Sequence, residues 1–153
     1  MSAGRQGGGA GAATQESIVH VCAAGTATLA RPEPGKPLGS VYTDALQCAY
    51  FAILAQHTSC GHTILLVADE EAQLTGAALN NRVSHALHQN VYGGALLVCL
   101  HEVGDDGDDE RLADFHDFYR ALGQHLQQSE QAVADYSKLS VQERALELLW
   151  LFA

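Results

Sequence analysis

Two histidines have a spacing that could serve a metal ion. His85 and His88 are three residues apart in a segment whose apolar pattern predicts a helix, and this spacing can present two imidazoles to one metal. His101 and Glu102 are candidates to complete such a site, but nothing in the spacing fixes a third and a fourth ligand. Because eight histidines produce a pair of this kind by chance, we expect solvated helix-face histidines, with no metal and no cofactor.

Two acidic segments have compositions that could bind calcium or supply a catalytic acid/base pair. Residues 105–110 read Asp-Asp-Gly-Asp-Asp-Glu, but they lack the alternate ligand positions, the sixth glycine and the twelfth glutamate of an EF-hand. Residues 69–71 read Asp-Glu-Glu and could supply an acid/base pair. Carboxylates that follow a strand and precede a helix more often solubilise a turn, and that is the interpretation adopted for both segments.

The chain carries no motif for nucleophilic catalysis or nucleotide binding. A nucleophile elbow, a P-loop and a dinucleotide-binding glycine motif are all absent from the sequence. The four cysteines are spread out with no C-x-x-C pair, as is typical of a reduced intracellular protein. The apolar neighbours of Cys22, Cys48 and Cys99 predict inert, buried thiols, and Cys60, in a turn, is the one expected to be exposed. We therefore expect no catalytic residues and no enzyme.

Composition narrows the function classes further. The 153 residues support one compact domain, and 47% hydrophobic against 17% charged residues allows a packed core. Eight basic against 18 acidic residues give a formal charge of −10, which argues against nucleic-acid binding and against docking on anionic lipid. No apolar stretch is long enough for a transmembrane segment, so a cytoplasmic location is expected.

The first half of the chain predicts strands around one short helix. Residues 1–16 are rich in Gly and Ala and predict a disordered tail, and residues 18–22 and 26–30 predict a β-hairpin followed by a proline-rich loop. Ser40 or Thr43 could cap a helix from Asp44 to about Tyr50. Strands over 50–57 and 63–67, joined by a turn, then follow. The alternative is one helix over 44–56, which periodicity does not exclude.

The second half predicts helices, with one open alternative. Residues 74–87 have the spacing of an amphipathic helix. Either Gly93-Gly94 ends it before a strand over 95–100, or the helix continues through both glycines. Residues 110–129 predict a long helix, and Ser140 with Glu143 forms a capping box that opens a last, apolar helix over 141–152.

One apolar surface is a candidate partner interface. Most of the aromatic residues are expected in the core. A helix lying on the sheet near residues 44–50 would nevertheless leave a groove rimmed by its own apolar side chains and by the start of the next strand. The predicted interface residues are Val41, Tyr42, Leu46, Tyr50 and Phe51.

Several stretches resemble a known family. Val19–Ala24 resembles the first strand, and Thr63–Glu70 the last strand, of the first longin domain in the fuzzy planar-cell-polarity family, which is related to the Mon-type and Hermansky–Pudlak-type longin proteins. Gly94–Val103 and Glu110–Leu112 resemble that domain's long helix and its successor. The resemblance implies an α/β, longin-like fold: a small antiparallel sheet with flanking helices and long C-terminal helices. It also implies one helix over 74–103.

The resemblance also implies a domain division and a function. Residues 17–131 would form the longin-like domain, and 132–153 a linker and terminal helix, the start of a second domain if the chain is a truncated product. The implied function is a non-catalytic interaction module in cilium assembly, planar cell polarity and Rab-linked vesicle trafficking. The implied partners are other longin or ciliary-complex subunits and a Rab-type GTPase, at the ciliary base and cytoskeleton. Alternatives are a longin subunit of a Mon-type Rab exchange complex in endosomal trafficking and a small metal-dependent α/β enzyme.

Overall fold

The computed structural model describes residues 16–33, 35–102, 111–125 and 140–152. Within these ranges the chain forms a five-stranded antiparallel sheet in the order β2-β1-β5-β4-β3, which confirms the α/β class. The elements are β1 (Ile18–Val21), β2 (Ala27–Ala30), α1 (Leu38–Leu46), β3 (Phe51–Ser59), β4 (His62–Asp69), α2 (Asn81–Leu87), β5 (Ala95–His101), α3 (Phe115–His125), α4 (Val141–Glu147) and a 3₁₀ segment (Leu148–Phe152).

Both predicted hairpins are present. β1 pairs with β2 as the run of β-favouring residues predicted. β3 pairs with β4 through a two-residue turn in which Cys60 and Gly61 both have positive φ, 54° and 77°. Two positive φ values are typical of the tight hairpin turns whose twist matches that of the strands. The alternative of a single helix over 44–56 is therefore wrong.

The strand at residues 95–101 decides the alternative left open by Gly93-Gly94. β5 is flanked by β1 and β4, and Ala95–Leu100 are all buried. The preceding helix ends at Leu87, because His88 has a left-handed φ of 56°, and Gly93 with a φ of +76° is a second position through which a helix does not continue. The continuous helix over 74–103 that the resemblance implied is therefore wrong. The resemblance also matched residues 63–70 to the last strand of the longin domain, but here β5 follows that strand.

The predicted helix over 74–87 is much shorter. Residues 70–76 form turns, Leu74 is 84% exposed, and Leu79 forms a β-bridge with Tyr92 instead of joining a helix. α2 begins at Asn81 because the side chain of Asn80 accepts a hydrogen bond from the backbone N–H of Val83 and so caps it. The apolar residues at helical spacing therefore belong to two structures: Leu79 to a β-bridge, and Val83, Ala86 and Leu87 to α2.

α1 begins and ends earlier than predicted. It spans Leu38–Leu46, directly after Pro37, and ends at Gln47, whose φ of 54° is left-handed. Thr43, one of the two predicted caps, lies inside the helix, where its hydroxyl donates to the carbonyl of Gly39. The predicted range of 44–50 was wrong because Pro37, whose ring fixes φ, already starts the helix.

The C-terminal helix predicted from residue 110 begins later, at Phe115. Leu112 lies outside it in a bridge to Leu100, and any continuation beyond His125 lies outside the described residues. The predicted capping box of Ser140 and Glu143 is present, and α4 then passes into the 3₁₀ segment. The predicted tail (except Glu16), the acidic run 105–110 and the boundary at 131 lie outside the described residues.

The sheet separates two apolar cores. On one face α1 covers alternate residues of β4 and β5, including Leu65, Val67 and Leu96. On the other face α2, α3, α4 and the 3₁₀ segment cover the intervening residues, such as Leu66 and Leu97. The strand alternation of side chains produces this division, because successive residues point to opposite faces. The order of the strands places β2 and β3 at the two edges of the sheet.

Candidate partner interface

β3 is the longer of the two edge strands. It has nine residues against four in β2, and among the described residues no strand pairs with its outer side. α4 packs near β2. An outer strand carries backbone N–H and C=O groups directed away from the sheet, which can pair with another chain. The fold therefore offers a pairing template at β3.

The side chains of β3 do little to block such pairing. The strand reads FAILAQHTS and contains no Lys, Arg, Asp, Glu or Pro, the residues that commonly protect an edge. Ile53 is 51% exposed and the preceding Tyr50 is 61% exposed. A bulge at Leu54 shifts the register against β4 and bends the strand locally. The edge is thus uncharged and partly apolar.

A shallow pocket flanks β3 on each face of the sheet. The α1-side pocket, of about 270 Å³, is lined by β3 residues Ile53, Gln56 and Thr58 and has Glu102 at its rim. The α2-side pocket, of about 290 Å³, is lined by Ala52 and Leu54 together with Asp69, Glu70 and the loop that follows α2.

Acidic side chains stand at both ends of the edge. The backbone N–H of Glu70 donates to the carbonyl of Tyr50, which fixes Glu70 beside the start of β3. The N–H of Glu102 donates to the carbonyl of Gly61, which fixes Glu102 beside its end. Both glutamate side chains are exposed.

The predicted interface residues are divided between core and surface. Val41 and Tyr42 are 5% and 3% exposed, so they belong mainly to the core, although Val41 also lines a pocket together with residues 30–33. They are buried because α1 lies flat on the sheet, with the Tyr42 ring edge-on to Phe51 at 5.3 Å between centroids. Leu46 and Phe51 are half-buried in the same core, and of the five only Tyr50 is largely exposed.

Sequence reasoning missed the residues that border this edge. Ile53, Gln56, Glu70 and Glu102 were not proposed as interface residues. The uncharged nine-residue stretch 51–59 was the one available signal. Which strand lies at the sheet edge depends on strand order, which the sequence does not state.

The candidate metal ligands do not come together. The rings of His85 and His88 are 6.5 Å apart between centroids at the end of α2. His101 lies at the far end of β5, roughly 20 Å along the strand from Ala95, and stacks on His62 at 5.9 Å. No three His, Cys, Asp or Glu side chains form a group that could hold a metal within the described ranges.

The acidic turn and the cysteines have structural environments. The carboxylate of Asp69 accepts the N–H of Glu71 at 2.8 Å, as expected of a turn. All four cysteines are free thiols. Burial raises the pKa of Cys99 and, less, that of Cys48, whereas the backbone N–H of Thr26 lowers the pKa of Cys22. Only Cys99 is fully buried, so the expectation that Cys22 and Cys48 are buried was wrong.

Comparisons with known proteins do not assign this chain to a family. No protein family and no curated protein matches the chain. One solved structure, described as the crystal structure of small RNA methyltransferase HEN1, aligns with 69% of this chain at 16% identity and a TM-score of 0.47. This chain spans 16% of that one. In the described part of the chain, no helix has the length and apolar character needed to cross a membrane.

Proposed function

We propose that this chain is a non-catalytic interaction module that binds a partner polypeptide by extending its sheet at β3. The observation that carries the proposal is the nine-residue edge strand β3, which no other described strand pairs on its outer side. It lacks Lys, Arg, Asp, Glu and Pro and leaves Ile53 exposed. Strand addition of this kind derives affinity from main-chain hydrogen bonds and specificity from neighbouring side-chain pockets. A pocket on each face of the strand fits that mode of binding.

We propose further that the module is of the longin type and acts in cilium assembly, planar cell polarity and Rab-linked trafficking. The order hairpin, linker, helix, hairpin over residues 18–69 supports this, as does an antiparallel sheet with helices on both faces. Residues 95–101 give no support, because they form a strand where the resemblance implies a helix. Its partners would be longin or ciliary-complex subunits and a Rab-type GTPase, in the cytoplasm and at the ciliary base.

Proximity labelling in ciliated cells tests both parts of the proposal. We expect the unaltered chain to label longin or ciliary-complex subunits, and Ile53→Lys to abolish that labelling because a charge then interrupts the edge. Leu74→Lys is the matched control, since Leu74 is an exposed apolar residue in the turn after β4. Circular dichroism verifies that both variants fold.

The outcomes that would refute the β3 interface differ from those that would refute the longin assignment. Labelling that survives Ile53→Lys would refute the β3 interface. Loss of labelling in Ile53→Lys, with captured proteins that have no ciliary, longin or GTPase character, would retain the interface and refute the longin assignment.

A further inference from the structure

We infer that the segment added at β3 is an extended strand of a different protein that carries a lysine or arginine toward each face of the sheet. The inference rests on the proposed function and specifies the partner's chemistry. It is carried by two carboxylate-rimmed pockets, one on each face of an otherwise uncharged edge.

The positions of the pockets set the spacing of the two basic residues. The α2-side pocket is lined on β3 by Ala52 and Leu54, and the α1-side pocket by Ile53, Gln56 and Thr58. The middles of the two pockets are therefore roughly three residues apart along the strand, or about 10 Å. Because successive side chains of a strand alternate between faces, the two basic residues must be separated by an odd number of positions.

The polar groups in the pockets favour cations. Asp69 and Glu70 line the α2-side pocket with Gln73 and Gln89, and Glu102 lines the α1-side pocket with Thr58. Among the described residues, no lysine or arginine lines either pocket. Carboxylates with amide or hydroxyl acceptors beside them form charge-assisted hydrogen bonds with lysine and arginine.

The same charges disfavour a second copy of this chain. Antiparallel pairing of two β3 strands would bring the Glu70 end of one copy to the Glu102 end of the other, so both contacts would place carboxylate near carboxylate. The formal charge of −10 on each chain adds to the repulsion. A basic segment of another protein removes both conflicts.

Fluorescence anisotropy with two matched peptides tests the inference on the full chain. One fluorescein-labelled peptide alternates Val and Thr and carries two lysines three positions apart, and the other carries glutamates at those positions. At low salt, about 20 mM, we expect the lysine peptide to bind about tenfold more tightly than the glutamate peptide. The preference should decrease as salt is raised, because the carboxylates are exposed.

Single variants locate the preference. Glu70→Gln and Glu102→Gln should each weaken lysine-peptide binding about two- to threefold and leave glutamate-peptide binding no weaker. Glu33→Gln is the matched control, since Glu33 is an exposed glutamate in the loop after β2, at the opposite edge of the sheet. Ile53→Lys should abolish binding of both peptides.

Each other result overturns the inference in a different way. Equal binding of the two peptides would refute the charge requirement and keep the β3 edge. Binding unaffected by Ile53→Lys would refute the edge itself and, with it, the proposed function. A dimer in light scattering that Ile53→Lys dissociates would assign the edge to a second copy. No binding of either peptide would refute a basic strand as the ligand, and the proximity-labelling experiment would still test the β3 interface.

Discussion

Asn80 connects three parts of the molecule through one carboxamide. It is fully buried, and its Nδ2 donates to the carbonyl oxygens of Val21 and Gly93 at 3.1 and 3.0 Å. Its Oδ1 accepts the N–H of Val83 and caps α2. A single side chain thus holds the end of β1, the start of α2 and the approach to β5 together.

Replacing Asn80 with alanine is expected to destabilise the fold by about 2–4 kcal/mol, because it removes the cap and leaves buried carbonyls without a donor. Urea unfolding measures the change. Asn81→Ala is the control, since Asn81 is exposed, and it should change stability by less than about 0.5 kcal/mol. Equal effects of the two substitutions would contradict the connecting role of Asn80.

His20 is packed against a glycine that leaves it room. A Cβ at Gly94 would overlap the His20 imidazole, so the absence of a side chain there permits the packing. Burial lowers the pKa of His20 below its ordinary value of 6.5, because the charged form loses hydration. The folded protein therefore binds this proton less readily than the unfolded chain does.

The sign of the resulting pH effect follows from linkage. As pH falls below 6.5, the unfolded chain takes up the proton first and the folded state loses relative stability, until His20 also titrates in the folded protein. We expect the stability of the unaltered chain, relative to His20→Gln, to decrease between pH 7.5 and 5. Urea unfolding of both proteins across this range measures it. A constant difference would contradict the lowered pKa.

At the scale of the elements, β3 and β5 show how position governs strands of similar composition. Both are apolar and β-favouring, but β5 has a partner strand on each side and is buried on both faces. Within the described ranges β3 pairs with β4 alone, and it keeps three exposed residues. The sequence predicted both strands, yet only strand order makes one of them central and the other an edge.

Hydrogen exchange should separate the two strands. Amides of β5 are expected to exchange only through global or near-global unfolding, whereas about half of the β3 amides point away from β4 and should exchange orders of magnitude faster. Exchange followed by NMR measures this residue by residue. Uniformly slow exchange along β3 in a monomer would mean that another part of the chain covers the edge.

At the scale of the whole molecule, the two cores share one sheet. Leu97 points to the face covered by α2, α3 and α4, and the adjacent Val98 points to the face covered by α1. Each residue is 0% exposed. Because the same strand supplies both cores, the two faces should unfold together.

Leu97→Ala is expected to cost about 2–5 kcal/mol, since it removes buried methyl groups and leaves a cavity in a fully enclosed site. Far-UV and near-UV circular dichroism should show one coincident transition at a lower urea concentration. Leu74→Ala, at an 84% exposed position, is the control and should leave the midpoint nearly unchanged. Separate transitions for the two signals would contradict a shared core.

The sequence by itself determined the first hairpin, the capping box at Ser140 and the excess of negative charge. These depend on neighbouring residues, so local propensity is sufficient. The sequence offered the second hairpin and the strand over 95–100 each as one of two alternatives. The tertiary structure decided that residues 74–80 are not helical, that Val41 and Tyr42 are core and that β3 lies at an edge. Each of these depends on contacts between residues distant in the chain, and the same apolar spacing serves a helix, a strand or a surface until those contacts form.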